Sequence, residues 1–325
     1  DCPPLKGASC RYQSTIPFDR SSVLLVVLSC LMPKVFLLLF LALIPISSTC
    51  ASNQLRVLSY NVWYGFTKVP ERKKNFLNWM KAQNPDIVSL QELNGYTADK
   101  LKADAAAWRH PHTAILKESG FPTGITSRFP IEEVRRFRAG FHHGLLRARI
   151  KGAYYYVIHL HPSNWEIRGR EADLILADIA KLPKDAQVAL VGDFNTFSTN
   201  DERHYMKTSL EPFFAARDTK HKEKNLRDGK LDYSVIRKFT AAGLVDLEHS
   251  KRKSGYRFTG SFPTKIQKLG DHGEERRLDY VFASPSLTKR VTRAEIIADD
   301  TTWILSDHLP MIVELTHQQR PKDEK

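Results

Sequence analysis

Two short stretches of the sequence place carboxylate, amide and imidazole side chains where they could share one site. In the first, an apolar run at 188–191 stops at a glycine and is followed by Asp193 and Asn195. The run has the length and composition of a strand, and residues i and i+2 of a strand share a face, which predicts that both side chains leave the strand end together. In the second, Asp307 and His308 directly precede another apolar run. Polar groups at the ends of buried strands are where open α/β sheets place their active sites.

The same arrangement recurs along the chain, because several predicted strands end in polar residues. Helices are predicted at 71–84, 97–108 and 166–182, and short strands follow one another directly between positions 113 and 160. This mixture predicts an α/β (α+β) fold of two packed mixed sheets flanked by helices, in one domain over 52–317. The polar residues at the predicted strand ends are Asn61, Glu92, His159, Asp193, Asn195, Asp279, Asp307 and His308.

The composition fits a folded domain that carries excess positive charge. Of the 325 residues, 42% are apolar, which is enough to bury a core and argues against global disorder. The formal net charge is +13. This excess either serves solubility or indicates a polyanionic partner such as nucleic acid or an anionic lipid surface, and charge alone does not separate the two. Basic residues concentrate at 217–238, which is interpreted as a solvated loop and helix face, and at 251–277.

The first 51 residues have the features of a secretory signal with residues upstream of it. Met32 and a lysine precede the apolar run 35–44, and small residues follow, which predicts a signal peptide that starts at Met32 and is cleaved near Ala51. The run is shorter than the roughly 20 residues of a membrane-spanning helix, and a lipoprotein anchor at Cys50 is the weaker alternative. The protein is therefore predicted to be secreted or held in the cell envelope, and it ends in a polar tail at 318–325.

All of the cysteines lie at or before the predicted cleavage point. The mature domain would contain none, so it needs no disulfide and offers no zinc–thiolate site. The residues concerned are Cys2, Cys10, Cys30 and Cys50.

Six short stretches resemble, in order, the motifs of one enzyme superfamily. They are 59–61, 90–92, 158–160, 191–196, 278–281 and 306–310. Any one would be uninformative, but together they make the chain similar to the endonuclease/exonuclease/phosphatase superfamily, which includes DNase I-like nucleases, abasic-site endonucleases, inositol polyphosphate phosphatases and neutral sphingomyelinases. The resemblance implies a four-layer α/β sandwich with the site at one end of the two central sheets. It also implies hydrolysis of a phosphoester with Mg²⁺ or Mn²⁺ as cofactor.

The resemblance assigns roles to residues at the strand ends. Glu92 matches the principal metal ligand, Asp307 a second ligand, direct or through water, and Asn61 an assisting residue. Asp279 matches the carboxylate that hydrogen-bonds His308 and favours its protonated form. The residue types suit the reaction independently, because hydrolysis of a phosphoester needs neutralised phosphoryl oxygens and an oriented nucleophile.

The assignment of the proton transfers has alternatives. The base that activates water is either His308 or Asp193, and His308 would otherwise contact the phosphate. Asn195 and His159 match residues that bind the scissile phosphate, and His159 is also a candidate for assisting the leaving group. His161, two positions further along, replaces His159 if the strand has a different register.

The substrate is the least determined feature. Trp63 occupies a position where some family nucleases carry a metal-binding Asp, which argues against a close relationship with abasic-site endonucleases. The basic charge favours nucleic acid, DNA or RNA, as the phosphate-ester substrate. A sphingomyelinase-type lipid phosphodiesterase or a phosphomonoesterase is the alternative, and a catalytically silent binding module is favoured least. Membrane contact is expected only for a lipid substrate, and a monomer without a stable protein partner is predicted. His142 and His143 are interpreted as structural, and Trp165 and Trp303 as core residues.

Overall fold

The computed structural model describes residues 54–268 and 270–316. The predicted signal peptide, all four cysteines and the polar tail lie outside these residues, so the statements about them stay predictions. No helix within the described ranges is both long enough and apolar enough to cross a membrane.

Strands and helices follow the chain order that the hydrophobic pattern predicts. The strands are β1 (Gln54–Asn61), β2 (Ile87–Gln91), β3 (His112–Ile115), β4 (Gly124–Ser127), β5 (Glu132–Phe137), β6 (Leu145–Ile150), β7 (Ala153–His159), β8 (Gln187–Asp193), β9 (Leu226–Arg227), β10 (Lys230–Leu231), β11 (Val245–Asp246), β12 (Asp279–Ala283), β13 (Val291–Ile296) and β14 (Met311–Thr316). The α-helices are α1 (Lys73–Gln83), α2 (Ala98–Ala106), α3 (Trp165–Ile179), α4 (Glu202–Tyr205), α5 (Leu210–His221), α6 (Ser234–Ala241), α7 (Leu247–Lys251) and α8 (Pro285–Thr288).

Local side chains set the ends of the helices. The side chain of Asn164 accepts hydrogen bonds from the backbone N–H groups of Glu166 and Ile167 and so caps the start of α3. At its other end, α1 stops where Asn84 adopts a left-handed φ of 48°, directly before Pro85. These caps return the chain to the strands that carry the polar residues.

The strands form two six-stranded mixed sheets and one short hairpin of β9 and β10. The first sheet has the order β13-β14-β1-β2-β4-β3, and the second has the order β11-β12-β8-β7-β6-β5. At the centre of each sheet lies a parallel pair, β1 with β2 and β7 with β8, next to an antiparallel strand, β14 or β12. The two sheets therefore present the same local arrangement of three strands.

The alternation of side chains along the strands creates a core between the sheets. Leu55 and Val57 of β1 belong to one buried cluster with Val157 of β7 and Val191 of β8. Each fully buried Val or Leu side chain contributes about 1.5–3 kcal/mol relative to an exposed one. This shared cluster holds the two sheets face to face.

The other face of each sheet is covered by helices. Leu58 of β1 packs in a cluster with Phe76 and Trp79 of α1. Leu190 of β8 packs in a separate cluster with Phe239 of α6 and with residues of α3. The layers are therefore helix, sheet, sheet and helix, which confirms the predicted four-layer α/β sandwich.

Strand β8 continues two residues beyond the apolar run, through Gly192 to Asp193. Gly192 has a positive φ of 146°, and a Cβ at this position would overlap the carbonyl oxygen of Ile158 on β7. The strand therefore extends beyond the apolar run 188–191. The glycine permits close approach of β7, and Asp193 becomes the last residue of the strand, paired with His159 on one side and Asp279 on the other.

Candidate active site

The ends of the central strands bring the predicted polar residues to one edge of the sandwich. Asn61, His159 and Asp193 are the last residues of β1, β7 and β8, and Glu92 directly follows β2. Asp279 is the first residue of the antiparallel strand β12, so it lies at the same edge. The loop before β14 adds the last two residues, Asp307 and His308.

A charged histidine lies between two carboxylates. The Nδ1 atom of His308 is 2.7 Å from Oδ2 of Asp279, and its Nε2 atom is 3.8 Å from Oδ2 of Asp193. Burial lowers the pKa of His308, but the charges of Asp279 and Asp193 outweigh burial and raise the pKa to about 10. His308 is therefore an imidazolium at neutral pH, with Nδ1–H donating to Asp279.

Asp193 is the carboxylate at the centre of the site. Burial raises its pKa to about 7, although the positive charge of His308 opposes the shift. Its two oxygens accept different donors: Oδ1 accepts from the backbone N–H of Asn195 at 2.9 Å, and Oδ2 accepts from the amide of Asn61 at 3.2 Å. These hydrogen bonds fix the orientation of the carboxylate toward the two histidines.

Asn61 links the two sheets through its side chain. Its Nδ2 donates to Asp193 and also to Oε1 of Glu92, each at 3.2 Å, while its Oδ1 accepts from the backbone N–H of Trp63 at 3.1 Å. The amide nitrogen thus faces the carboxylates and orients them. The other oxygen of Glu92 accepts from the backbone N–H of Tyr64 at 3.0 Å. Direct metal ligation by Asn61 stays a prediction.

Asp307 lies on the side of the site toward Glu92. Its Oδ2 accepts from Nε2 of Gln267 at 3.3 Å, and the hydroxyl of Ser306 donates to the carbonyl of Asn61 at 2.6 Å. Burial raises the pKa of Asp307 to about 6, and the charge of Glu92 adds to the increase. These two carboxylates are the hard oxygen donors that a divalent cation prefers, so the residues present fit a cation.

The atoms of Asp193, Asp279 and His308 also lie within 4.8 Å of one another, a spacing that could hold a metal ion. Within this group Nδ1 of His308 is already held by Oδ2 of Asp279, which leaves Nε2 as its free ring nitrogen.

Two residues of the site have a left-handed backbone that is rare outside glycine. Glu92 has a φ of 57° and Asn195 has a φ of 50°. Such conformations cost of order 1–3 kcal/mol and cluster at functional sites. In Asn195 the turn places Nδ2 against the carbonyl of Leu160 at 3.1 Å, so the prediction that Asn195 shares the strand face of Asp193 is wrong. The chain turns directly after Asp193, and strand alternation no longer applies.

His159 faces the site from β7. Its side chain is 4% exposed, its Nε2 is 3.8 Å from Oδ2 of Asp193, and its ring stacks on His143 with centroids 4.0 Å apart. Burial and the neighbouring His143 lower the pKa of His159 well below its usual value, so the ring is neutral. His161 lies past the end of the strand, where Glu171 accepts from its backbone N–H. The structure therefore has the register that puts His159 in the site.

Several residues near the site carry no signal in the local sequence. His143 stacks on His159 across a separation of 16 positions, and Gln267 binds Asp307 across 40 positions. The ring of Phe262 lies 4.7 Å from the ring of His308, and the hydroxyl of Ser261 accepts from the backbone N–H of Asp279. Only the folded arrangement reveals these contacts.

The two tryptophans interpreted as core residues are half-buried surface residues. Trp303 has Lys265 over its ring at 5.4 Å and lines a cavity of about 720 Å³. Trp165 has Arg227 over its ring at 5.0 Å. Each large apolar face is covered by a cationic side chain instead of the core, so the interpretation as core residues is wrong.

Comparison with known proteins agrees with this geometry. The sequence model of the Endonuclease/Exonuclease/phosphatase family matches residues 58–308, whereas no match was found among curated protein sequences. An AP endonuclease from Archaeoglobus fulgidus is similar at 18% identity and a TM-score of 0.57, over 80% of this chain and 98% of that chain. The 3'-5' exonuclease NExo from Neisseria meningitidis is similar at 16% identity and a TM-score of 0.58, over 81% of this chain and 100% of that chain. TDP2 from D. rerio, complexed with single-strand DNA product, is similar at 19% identity and a TM-score of 0.56, over 80% of this chain and 98% of that chain.

At these identities the solved structures establish the fold alone, whereas the family match extends over most of the chain. Two packed sheets with carboxylates and histidines collected at their strand ends define an enzyme of the DNase I-like class that hydrolyses phosphoester bonds. The chain belongs to the Endonuclease/Exonuclease/phosphatase family.

Proposed function

We propose that the protein is a secreted, divalent-metal-dependent phosphodiesterase whose substrate is nucleic acid. The observation that carries the proposal is the charge imbalance at the strand ends, where four carboxylates surround a single protonated histidine. The carboxylates are Glu92, Asp193, Asp279 and Asp307. A phosphodiester is itself an anion, so this site must acquire positive charge before it can bind and hydrolyse one.

Glu92 and Asp307 are the residues that would hold Mg²⁺ or Mn²⁺. Both are carboxylates, and the pKa of Asp307 is raised mainly by burial and further by the charge of Glu92, a charge that a cation would neutralise. When bound, the cation supplies charge neutralisation at the phosphoryl oxygens. Asn61 keeps Glu92 beside Asp193 through its amide.

Asp193 is the residue best placed to accept the proton of the attacking water. Its pKa of about 7 makes it a stronger base than an ordinary carboxylate while keeping the ionised form available near neutral pH. Asn61 and Asn195 hold its two oxygens in place. His308 already carries a proton, which favours Asp193 over His308 as the base.

His308 and His159 then bind the phosphate, one as a charged ring and the other as a neutral ring. The imidazolium of His308, held by Asp279, donates a charged hydrogen bond to a phosphate oxygen. The neutral ring of His159, held by its stacking on His143, donates an uncharged one. Asn195, at the turn after β8, is the remaining substrate contact in this proposal.

Charge and fold relatives support nucleic acid as the substrate class. The net charge of +13 favours a polyanion, and a basic surface would make binding strongly dependent on salt. Two relatives of this fold were solved with DNA: the 3' phosphatase NExo bound to a product DNA hairpin and the D. rerio TDP2 with its single-strand product. Secretion rests on the predicted signal from Met32 to Ala51 and on a single enzyme domain over 52–317.

A substrate panel tests the proposal. Purified protein is incubated with plasmid DNA, RNA, sphingomyelin, inositol phosphates and bis(p-nitrophenyl) phosphate, each with Mg²⁺, with Mn²⁺ or with chelator. We expect plasmid nicking or RNA cleavage that needs the cation and weakens as salt increases. Release of choline phosphate from sphingomyelin with intact plasmid would replace nucleic acid by a lipid substrate.

A further inference from the structure

A cavity of about 270 Å³ lies next to the active site, and its lining includes an arginine that has no carboxylate partner within the described part of the chain. The cavity is lined by residues of the loop after β7, of α5 and of the segment before β12, including Ser163, Arg217, His272 and Arg276. The catalytic residues lie outside this lining.

Arg276 is buried without a carboxylate partner among the described residues. Its side chain is 6% exposed, and its Nη1 donates to the backbone carbonyls of His272 at 2.6 Å and Glu274 at 3.0 Å. Its Nε and Nη2 donate no hydrogen bond within the described ranges, and Nε is fully buried. A buried cation without a counterion is costly, and a ligand that supplies negative charge would reduce that cost.

The guanidinium of Arg276 packs against aromatic rings and contacts no carboxylate among the described residues. Its guanidinium lies 5.2 Å from the ring of Phe214 and 4.6 Å from the ring of Phe262. Arg217, the second guanidinium of the cavity, is already neutralised by a bidentate pair with Glu223 at 2.9 and 3.1 Å. The cavity therefore has one positive charge left over, on Arg276.

Nη2 of Arg276, which has no hydrogen-bond partner within the described ranges, is a charged N–H donor for a phosphate in the cavity, whereas the unpartnered Nε is fully buried. The guanidinium of Arg276 and the ring of His308 both lie near the ring of Phe262, at 4.6 and 4.7 Å from its centroid, so the cavity adjoins the catalytic centre. A group bound in the cavity would therefore belong to the same substrate molecule as the phosphate at His308.

We propose that the cavity binds a second phosphate group of the substrate, next to the phosphate that is hydrolysed, through Arg276. The inference rests on the proposed function, and for nucleic acid the second group is the neighbouring phosphate of the strand. The enzyme would then discriminate between a substrate with two phosphates and an otherwise identical substrate with one.

The test compares wild-type protein with an Arg276→Met variant, which keeps the aliphatic stem and removes the charge. The substrates are the thymidine dinucleotide TpT, the same dinucleotide with a 5′-phosphate or a 3′-phosphate, and bis(p-nitrophenyl) phosphate. We expect wild type to prefer one of the phosphorylated dinucleotides, and the variant to lose roughly tenfold to a hundredfold in kcat/KM on it. TpT and bis(p-nitrophenyl) phosphate should change by less than about threefold. Arg135→Met, which removes one exposed charge from the edge strand β5, is the matched control.

Two results on these substrates would overturn the inference. Equal losses on all substrates would mean that Arg276 serves the fold, and a wild-type enzyme indifferent to the added phosphate would mean that the cavity does not bind it. If wild type hydrolyses bis(p-nitrophenyl) phosphate but no dinucleotide, the nucleic-acid proposal fails separately.

The cavity can also be tested without a substrate. In chelator, where the carboxylates of the active site repel anions, inorganic phosphate should raise the Tm of wild type and of Arg135→Met. It should raise the Tm of Arg276→Met much less. An equal increase in Arg276→Met would contradict the inference whatever the substrate is.

Discussion

Two buried clusters of charged side chains meet at the start of β12, one around Arg277 and the other around Asp279 and His308, and they differ in their balance of charge. In the first, Arg277 is fully buried and its guanidinium contacts three carboxylates at 2.7–2.9 Å. Arg252 adds a second guanidinium that binds two of the same carboxylates. The carboxylates are Asp201, Asp246 and Glu248. Charge is nearly balanced within this cluster, and the donors of Arg277 have partners.

The active site has the opposite balance. His308 is its one cation, and it is surrounded by the carboxylates of Asp193, Asp279, Glu92 and Asp307. One oxygen of Asp279 and the Nδ1 of His159 are buried without a hydrogen-bond partner among the described residues.

The difference shows in the pKa values. Burial raises the pKa of Asp246, but its hydrogen bonds and ion pair with Arg277 outweigh burial, and the net pKa is lowered. In the active site, burial dominates and the pKa of Asp193 is raised to about 7. A balanced cluster fixes a fold, whereas an unbalanced one keeps free energy available for a ligand that supplies the missing charge.

The largest effect is expected on catalysis. Asp193→Asn removes the proposed base, and His308→Gln removes the charged donor, so each should lower kcat by roughly 10²- to 10⁴-fold on whichever substrate wild type hydrolyses. Steady-state kinetics with circular dichroism as a folding control would measure this loss. Full turnover in both variants would show that the site lies elsewhere.

The next largest effect is expected on stability, in the balanced cluster. Arg277→Met leaves Asp201, Asp246 and Glu248 buried around an apolar side chain, and removing one partner from a buried ion pair costs about 3–5 kcal/mol. Urea unfolding should show this decrease, while kcat of the folded fraction stays close to that of wild type. A variant as stable as wild type would mean that the cluster contributes little.

A smaller effect of opposite sign is expected in the active site of the metal-free protein. The pKa of the Asp193 carboxyl increases on folding, from 3.8 to about 7. The folded protein therefore becomes less stable as the pH increases through that interval, because ionisation then costs more in the folded than in the unfolded state. Asp193→Asn cannot ionise, so at pH 8 it should be more stable than wild type by roughly 1–2 kcal/mol, with the gain reduced by weaker hydrogen bonds.

Urea unfolding at pH 8 and at pH 4 measures this difference. The advantage of Asp193→Asn should shrink at pH 4, which lies close to the unfolded pKa of 3.8, because the wild-type carboxyl is then protonated in the folded protein and only partly ionised in the unfolded protein. If Asp193→Asn were more stable than wild type by the same amount at both pH values, the stabilisation would come from packing and not from the removal of a charge.

The sequence predicts the parts of this molecule that depend on local pattern. Strand ends at Asn61, Glu92 and His159 follow from short apolar runs and their terminal polar residues, and these strand ends build the site. The turn at Asn195 was not predicted, because a single Asn is compatible with both a strand and a left-handed turn. The role of Gly192 became visible only from the proximity of β7.

The parts that depend on long-range contacts were not visible in the sequence. Arg276 and Arg277 are adjacent and chemically identical, yet Arg277 has three carboxylate partners and Arg276 has none among the described residues. His143 was interpreted as structural, but its stacking on His159 places it directly behind the site. Trp303 was assigned to the core because large aromatic residues are usually buried, whereas here a lysine covers it.

The most direct test is the binding of Mn²⁺ to protein freed of metal by a chelator, followed by thermal unfolding. Because the cation supplies the charge that the site lacks, wild type should gain roughly 5–10 °C in Tm at a hundredfold excess over Kd. Glu132→Gln, which changes an exposed carboxylate on β5, should gain as much, and Glu92→Gln should gain little. The same increase in Glu92→Gln as in wild type, or no increase in wild type, would contradict a cation site at these strand ends.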